Sequence, residues 1–190
     1  MGRDSKSYIL YNTSKSGRRC AASDTFREAC FLVKTSDLCD RHGSDVTVAT
    51  PVFRSFGARS AFSGEIATVR CFEDNALVRQ VLSAPGQGRV LVVDGGGSLR
   101  CALVGDQLAG LGAANGWSGT IVNGCVRDSA DLATIDFGVA ALATNPRRSA
   151  KAGSGERDVA VAFAGVTFTP GHYAYVDADG VIVAAGRLDQ

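Results

Sequence analysis

Histidine, tryptophan and methionine are scarce in this 190-residue chain, with two, one and one copies. His42 and His172 are isolated, with no histidine pair at metal-ligand spacing, so no histidine-built zinc centre is indicated. The six cysteines fall at 20, 30, 39, 71, 101 and 125, and no two form a C-x-x-C pair. That spacing speaks against a zinc ribbon and against a thioredoxin-like motif. Several lie in apolar surroundings ("VRCF", "NGCV"), so buried free thiols in a reducing compartment are expected. No segment approaches the ~18 continuous apolar residues of a membrane span, and there is no secretory h-region. G-x-G-x-x-G and P-loop patterns are absent, which leaves nucleotide binding without a motif.

Charge of one sign is also lacking. The net charge is +1, but residues 1–34 hold seven Lys/Arg against three Asp/Glu, and residues 35–190 hold thirteen against sixteen. A slightly acidic body argues against a nucleic-acid surface. Residues 1–34 read as an appended basic, Ser-rich arm with no acidic residue between Ser5 and Ser23, a composition like that of an organellar transit peptide.

Glycine is abundant, with 23 copies, and points to tight turns and close backbone approaches. A body of this length suits one domain that buries about 70% of its unfolded surface. From Thr35 the pattern predicts a short helix in "TSDLCDRHG", opened by a Ser/Thr cap and stopped at Gly43. A strand follows in "FSGEIATVRCF", then an acid-capped helix in "EDNALVRQVLSAPGQG" and a strand in "RVLVVDGGG". A helical stretch is expected over "SLRCALVGDQLAGLGAANG", a strand in "GTIVNG", a short helix in "SADLATIDFG" and a strand in "VAALATN". The tail reads as successive strands. Helices alternating with strands, then strands alone, define a mixed α/β domain.

The residues that invite chemistry cluster at "TIVNGCVRDSAD". A β-branched run there breaks at Asn-Gly and delivers Arg127 beside Asp128, with Asp131 following. Carboxylates at a helix start are ordinary capping chemistry, but capping does not require Arg127. An arginine fork can hold a keto oxygen or carboxylate while a neighbouring Asp holds a hard cation such as Mg²⁺, which uses one or two protein carboxylates. Asp106, separated from Arg127 by twenty residues, is either a helix N-cap or a second carboxylate at the same mouth. "DGGG" is either a tight turn or an anion-binding loop. "NPRRSAKAGSGER" reads as a solvated loop, with a phosphate or an acidic partner as the alternative. Trp117 reads as a packing anchor.

Five blocks, "TSDLCD", "FGARSAFSGEIATVRCFEDNALV", "GRVLVVDGGGSLRCALVGDQLA", "GWSGTIVNGCVRDSADL" and "AGVTFTPGHYAYVDADGVIV", together resemble one family. It contains the regulator of ribonuclease activity A (RraA) and the class II 4-hydroxy-4-methyl-2-oxoglutarate / 4-carboxy-4-hydroxy-2-oxoadipate aldolases. The resemblance covers about Thr35 to Ala184 and implies a swivelling-type β/β/α domain over 35–190, with 1–34 as an extension. The family signature, Asp, twenty residues, Arg-Asp, two residues, then an acid, is complete as Asp106, Arg127, Asp128 and Asp131.

By that resemblance Asp128 ligates a divalent cation, Mg²⁺ or Mn²⁺, and Asp106 holds a water on it. Arg127 contacts the keto oxygen of pyruvate, and the backbone from Gly105 through Asp106 and Gln107 to Leu108 receives its carboxylate. The implied function is a pyruvate aldolase with oxaloacetate decarboxylase activity. The alternative is a protein-binding regulator of ribonuclease E-like activity, with a ribonuclease or helicase partner. A homotrimer or dimer of trimers and a cytoplasmic place follow, with an organellar address as the alternative. An older label in the family, a demethylmenaquinone methyltransferase, lacks the Rossmann glycine motif here.

Overall fold

The computed structural model describes residues 34–188. The chain divides into Met1–Phe31 and Leu32–Gln190, and every element below belongs to the second unit. Apart from Lys34, the extension expected at 1–34 lies outside the described residues, as do Cys20 and Cys30.

Among the described residues, twelve strands and four α-helices follow one another. Helix α1 (Thr35–His42) leads into β1 (Val46–Val48), β2 (Arg54–Ser55) and the long β3 (Phe62–Arg70). Then come α2 (Ala76–Leu82), β4 (Val90–Asp94), β5 (Ala102–Val104), α3 (Asp106–Ala114) and β6 (Gly119–Val126). Helix α4 (Ser129–Leu132) precedes β7 (Gly138–Thr144), β8 (Glu156–Arg157) and β9 (Val161–Phe163). Strands β10 (Val166–Phe168), β11 (Tyr173–Val176) and β12 (Val181–Ala184) close the chain.

Strand β3 organises the sheet because it serves two neighbourhoods. Phe62 to Glu65 pair antiparallel with β11, whereas Ile66 to Arg70 pair parallel with β4. One side continues as the antiparallel run β11–β12–β1, the other as the parallel run β4–β6–β7. Gly64 lies where the strand changes company, and a Cβ there would collide with the Gly88 carbonyl oxygen, so only glycine admits that approach.

Alternation along the parallel strands divides the core into two layers, since successive strand residues face opposite sides. Leu91, Val93, Val122, Val139 and Ala141 pack with Val78, Leu82, Leu108, Leu132 and Phe137 on the helical side. Val90, Val92, Ile121 and Ala140 face the other way, against Phe168, Ala174, Val176 and Val183. The result is the expected β/β/α arrangement, with α1 added outside through Leu38 on Tyr175 and Ile182. Trp117 is a packing anchor: it is buried and donates Nε1–H to the Ala84 carbonyl at 2.9 Å.

Three local expectations are corrected. The helical stretch read across 98–116 begins only at Asp106, because Ala102, Leu103 and Val104 are all buried and form a strand beside β6. Three consecutive apolar residues buried on both faces suit a strand better than a surface helix. The strand read as ending at Asn123-Gly124 instead runs to Val126, with a register irregularity between Val122 and Cys125. Helix α1 has Lys34 at its N-cap position and no side-chain cap; the Thr35 hydroxyl instead donates to Asp177 Oδ1 at 2.7 Å. Cys39, Cys71, Cys101 and Cys125 are free thiols, the last three buried. Burial, with Asp74 and Asp94 nearby, pushes the Cys71 thiol up to about 12.

Candidate active site

Strand β6 is flanked on both sides by parallel neighbours, and its carboxyl end delivers Arg127 and Asp128. Crevices at the carboxyl ends of parallel strands are where α/β sheets receive ligands. The Arg127 N–H donates to the Val104 carbonyl at 3.0 Å, which fixes the exit of β6 against the exit of β5. The next residue, Asp128, adopts a left-handed backbone with φ +55. Such a conformation is uncommon outside glycine and collects at functional sites.

Asp128 occupies the N-cap position of α4, but its carboxylate does not cap that helix. It turns instead to Arg127, with Nε to Oδ2 at 3.0 Å and side chains 24% and 33% exposed. The pair lies directly against Gly105, where a Cβ would fall 2.8 Å from Asp128 Oδ2 and 3.1 Å from Arg127 Cγ. Gly105 is therefore glycine for room: its φ of −142 is one that any residue adopts.

Gly105 is also the N-cap of α3, so the pair faces the positive end of a helix. Its carbonyl accepts N–H groups from Leu108 at 3.1 Å and Ala109 at 3.0 Å. That leaves the amides of Asp106 and Gln107 with no partner among the described residues. Asp106 is the first residue of α3, not its cap, and its side chain is half-buried. Gly105, Asp106, Gln107, Leu108 and Arg127 line a single cavity of about 130 Å³. Asp128 adjoins it through Arg127. Asp131 is exposed on α4 and does not line it.

The sequence reading did not join the rest of the lining to this site. Arg79 of α2 and Arg148, Ser149 and Lys151 of the basic run share the cavity. The run is exposed through most of its length, as expected of a solvated loop, but it is also tied down at several points. Ala102 N–H donates to the Arg147 carbonyl at 2.8 Å, Asn75 N–H to that of Ala150 at 3.2 Å, and Ala150 N–H to that of Glu73 at 2.7 Å. Buried Asp74 accepts the Ala76 amide on Oδ1 and the Ala152 and Gly153 amides on Oδ2, at 2.9, 2.6 and 3.0 Å. Burial alone raises its pKa, but these backbone donors outweigh it and hold Asp74 below the usual carboxylate range. The sequence signal was "ED" before α2, which reads as capping and gives no hint of the loop.

The three-glycine segment is a turn. Gly95 and Gly97 N–H both donate to the Asn123 carbonyl at 3.1 Å, and Gly96 N–H donates to Asp94 Oδ1 at 3.0 Å. Its amides are spent internally and not aimed at an anion.

Among the described residues no group of three or more His, Cys, Asp or Glu side chains converges as a metal cage. What is present is a partly exposed carboxylate, Asp128, with Asp106 at the adjoining cavity. That donor set fits a hard, mostly water-coordinated cation such as Mg²⁺, not a structural Zn²⁺.

Fold and cavity together define a β/β/α protein with a small polar site at the mouths of its parallel strands. The chain belongs to the RraA-like (Aldolase/RraA) family, whose profile matches residues 35–183. It is 58% identical over 155 residues to a protein of Aromatoleum aromaticum provisionally named a 4-hydroxy-4-methyl-2-oxoglutarate aldolase, covering 82% of this chain and 98% of that one. A similarly named protein of Alkalilimnicola ehrlichii is 58% identical over 158 residues, covering 83% and 98%.

Among solved structures, one described as an S-adenosylmethionine:2-dimethylmenaquinone methyltransferase of Geobacillus kaustophilus aligns with TM-score 0.81 and 49% identity, covering 82% and 97%. The RNA-processing inhibitor RraA of Thermus thermophilus aligns with TM-score 0.80 and 44% identity, covering 83% and 95%.

Proposed function

We propose that this protein is a divalent-metal-dependent lyase that cleaves 4-hydroxy-4-methyl-2-oxoglutarate or 4-carboxy-4-hydroxy-2-oxoadipate to release pyruvate. Decarboxylation of oxaloacetate through the same enolate is part of the proposal. The observation that carries it is the Arg127–Asp128 pair at 3.0 Å, pressed against Gly105 at the start of α3. Aldolase names on relatives at 58% identity support the same reading.

Asp128 would hold a Mg²⁺ or Mn²⁺ ion, with Asp106 reaching it through water. When bound, the cation supplies Lewis acidity that polarises the 2-keto group. The amides of Asp106 and Gln107 receive the C1 carboxylate at the helix N-terminus. Arg127, its Nε engaged by Asp128, offers its Nη groups to the 2-keto oxygen. As the C3–C4 bond breaks, its electron pair moves into the C2–C3 enolate and charge gathers on that oxygen, where a fixed guanidinium contributes most. The 4-hydroxyl loses its proton as C4 becomes a carbonyl, and Asp106 takes it through a water. Protonation at C3 completes pyruvate. Oxaloacetate loses CO₂ from C3 to reach the same enolate.

The reading extends to a homotrimer or pair of trimers acting in the cytoplasm. No helix among the described residues is long and apolar enough to cross a membrane.

The test is pyruvate release from 4-hydroxy-4-methyl-2-oxoglutarate and from oxaloacetate, with Mg²⁺, with chelator, and in Asp128→Ala. Metal-dependent turnover that falls by about 100-fold or more in the variant is expected. No turnover of either substrate with metal overturns the proposal. The 44% identity to the RNA-processing inhibitor favours a second reading, a protein that restrains a ribonuclease by docking. Inhibition of a ribonuclease E-type enzyme that survives Asp128→Ala would mark that role. The methyltransferase name finds no counterpart in the glycine turn, whose amides are already taken.

A further inference from the structure

The cavity carries more positive charge than a 2-keto acid's own carboxylate requires. Its lining includes Arg79, Arg127, Arg148 and Lys151 against one carboxylate, Asp106. Arg127 is already paired with Asp128. The other three have no side-chain hydrogen bond or ion pair among the described residues. Like charges gathered around one small space repel one another, and the arrangement is relieved by an anion placed among them.

Ser149 sharpens the point. It lines the same cavity, and its Oγ is buried with no hydrogen-bond partner among the described residues. Buried hydroxyls are normally satisfied, so an orphan beside two cations marks where an acceptor belongs. The segment presenting them is preformed by the Asp74, Asn75, Glu73 and Ala102 ties, so little ordering cost attends binding.

We propose that Arg148 and Lys151, with Arg79 and the Ser149 hydroxyl, form a second anion subsite that takes the distal carboxylate of a dicarboxylic 2-keto acid whose keto-acid end lies at Arg127. The inference rests on the keto-acid reading of the cavity. The anion belongs to the same molecule because one cavity of about 130 Å³ holds both ends. The site is thereby a selector of dicarboxylates over equally long monocarboxylic keto acids.

The test uses two ligands that a retro-aldol step cannot cleave: 2-oxoglutarate and 2-oxopentanoate, of equal carbon count and differing in the distal carboxylate. Their affinities for the full chain are measured by calorimetry with Mg²⁺ present. Wild type is expected to prefer 2-oxoglutarate by about 10-fold or more, the worth of one or two charge-assisted hydrogen bonds. In Arg148→Ala/Lys151→Ala the ratio of the two affinities falls to near one, and Arg148→Lys restores part of it. Melting curves check that the exposed substitutions leave the fold intact.

Equal affinities in wild type, or a ratio unchanged in the double variant, overturn the subsite while leaving the keto-acid reading standing. Tighter binding of 2-oxopentanoate on addition of free acetate, with no preference for 2-oxoglutarate, also overturns it, since the rim then serves a separate anion. Binding of neither ligand overturns both readings.

Discussion

At the scale of single residues the site depends on what is missing from Gly105. Arg127 and Asp128 occupy the volume a side chain would take, with 2.8 Å left between a Cβ and Asp128 Oδ2. Gly105→Ala must therefore push the pair apart, although its backbone angles cost alanine nothing. Turnover is expected to fall about 10- to 100-fold, since a displacement near 1 Å is that costly to a positioned group. Stability should change by less than about 1 kcal/mol. Steady-state kinetics beside a thermal melt separates the two, and a large loss of melting temperature with turnover intact would contradict this account.

At the scale of elements, the decisive tie is Asp74, which joins the start of α2 to the basic segment near the cavity. Asp74→Asn removes a charge that accepts several backbone N–H groups, and a loss of about 2–3 kcal/mol is expected. The pH dependence has a definite sign. The folded pKa lies below the ordinary 3.8, so the contribution is complete above that value and is lost as pH falls through the lower folded value. Melts from neutral pH to about pH 2 should show wild type giving up this contribution, whereas the variant starts lower and loses less.

This tie also marks the boundary of what could be read in advance. Arg127 and Asp128 stood out because a β-branched run followed by two adjacent opposite charges is a local signal, although the Asn123-Gly124 break read before them is not where the strand ends. The apolar run in "RVLVVDGGG", the alternation in "FSGEIATVRCF" and the short α1 were legible for the same reason. The β5 strand was hidden: "CALV" is equally apolar as helix or strand, and its partner β6 is remote in sequence. The basic segment was hidden more deeply. Its composition is that of a solvated loop, and what ties it beside the cavity is the carboxylate of Asp74, far back in the chain from Ala152. No window of sequence contains both.

For the whole molecule, β3 is the shared member of the parallel and antiparallel halves, so neither half keeps its sheet if the strand leaves. One cooperative transition is expected, with far-UV circular dichroism and Trp117 fluorescence coinciding. Gly64→Val places atoms against the Gly88 carbonyl and Arg89 backbone, which cannot rotate away. A loss of about 2–3 kcal/mol in denaturant melts is expected, seen equally by both probes. Separate transitions would mean that the two halves are held by something other than β3.

The buried cysteines turn the core into a clock. Cys71 is 4% exposed, and its thiol is pushed up to about 12, so an alkylating reagent at neutral pH finds neither access nor thiolate while the domain is closed. Labelling at that position, read by peptide mass, therefore counts openings of the core at the end of β3. A bound dicarboxylate should slow the count in proportion to its occupancy. The same thiol that contributes nothing to chemistry thus offers a way to watch ligands arrive without following turnover.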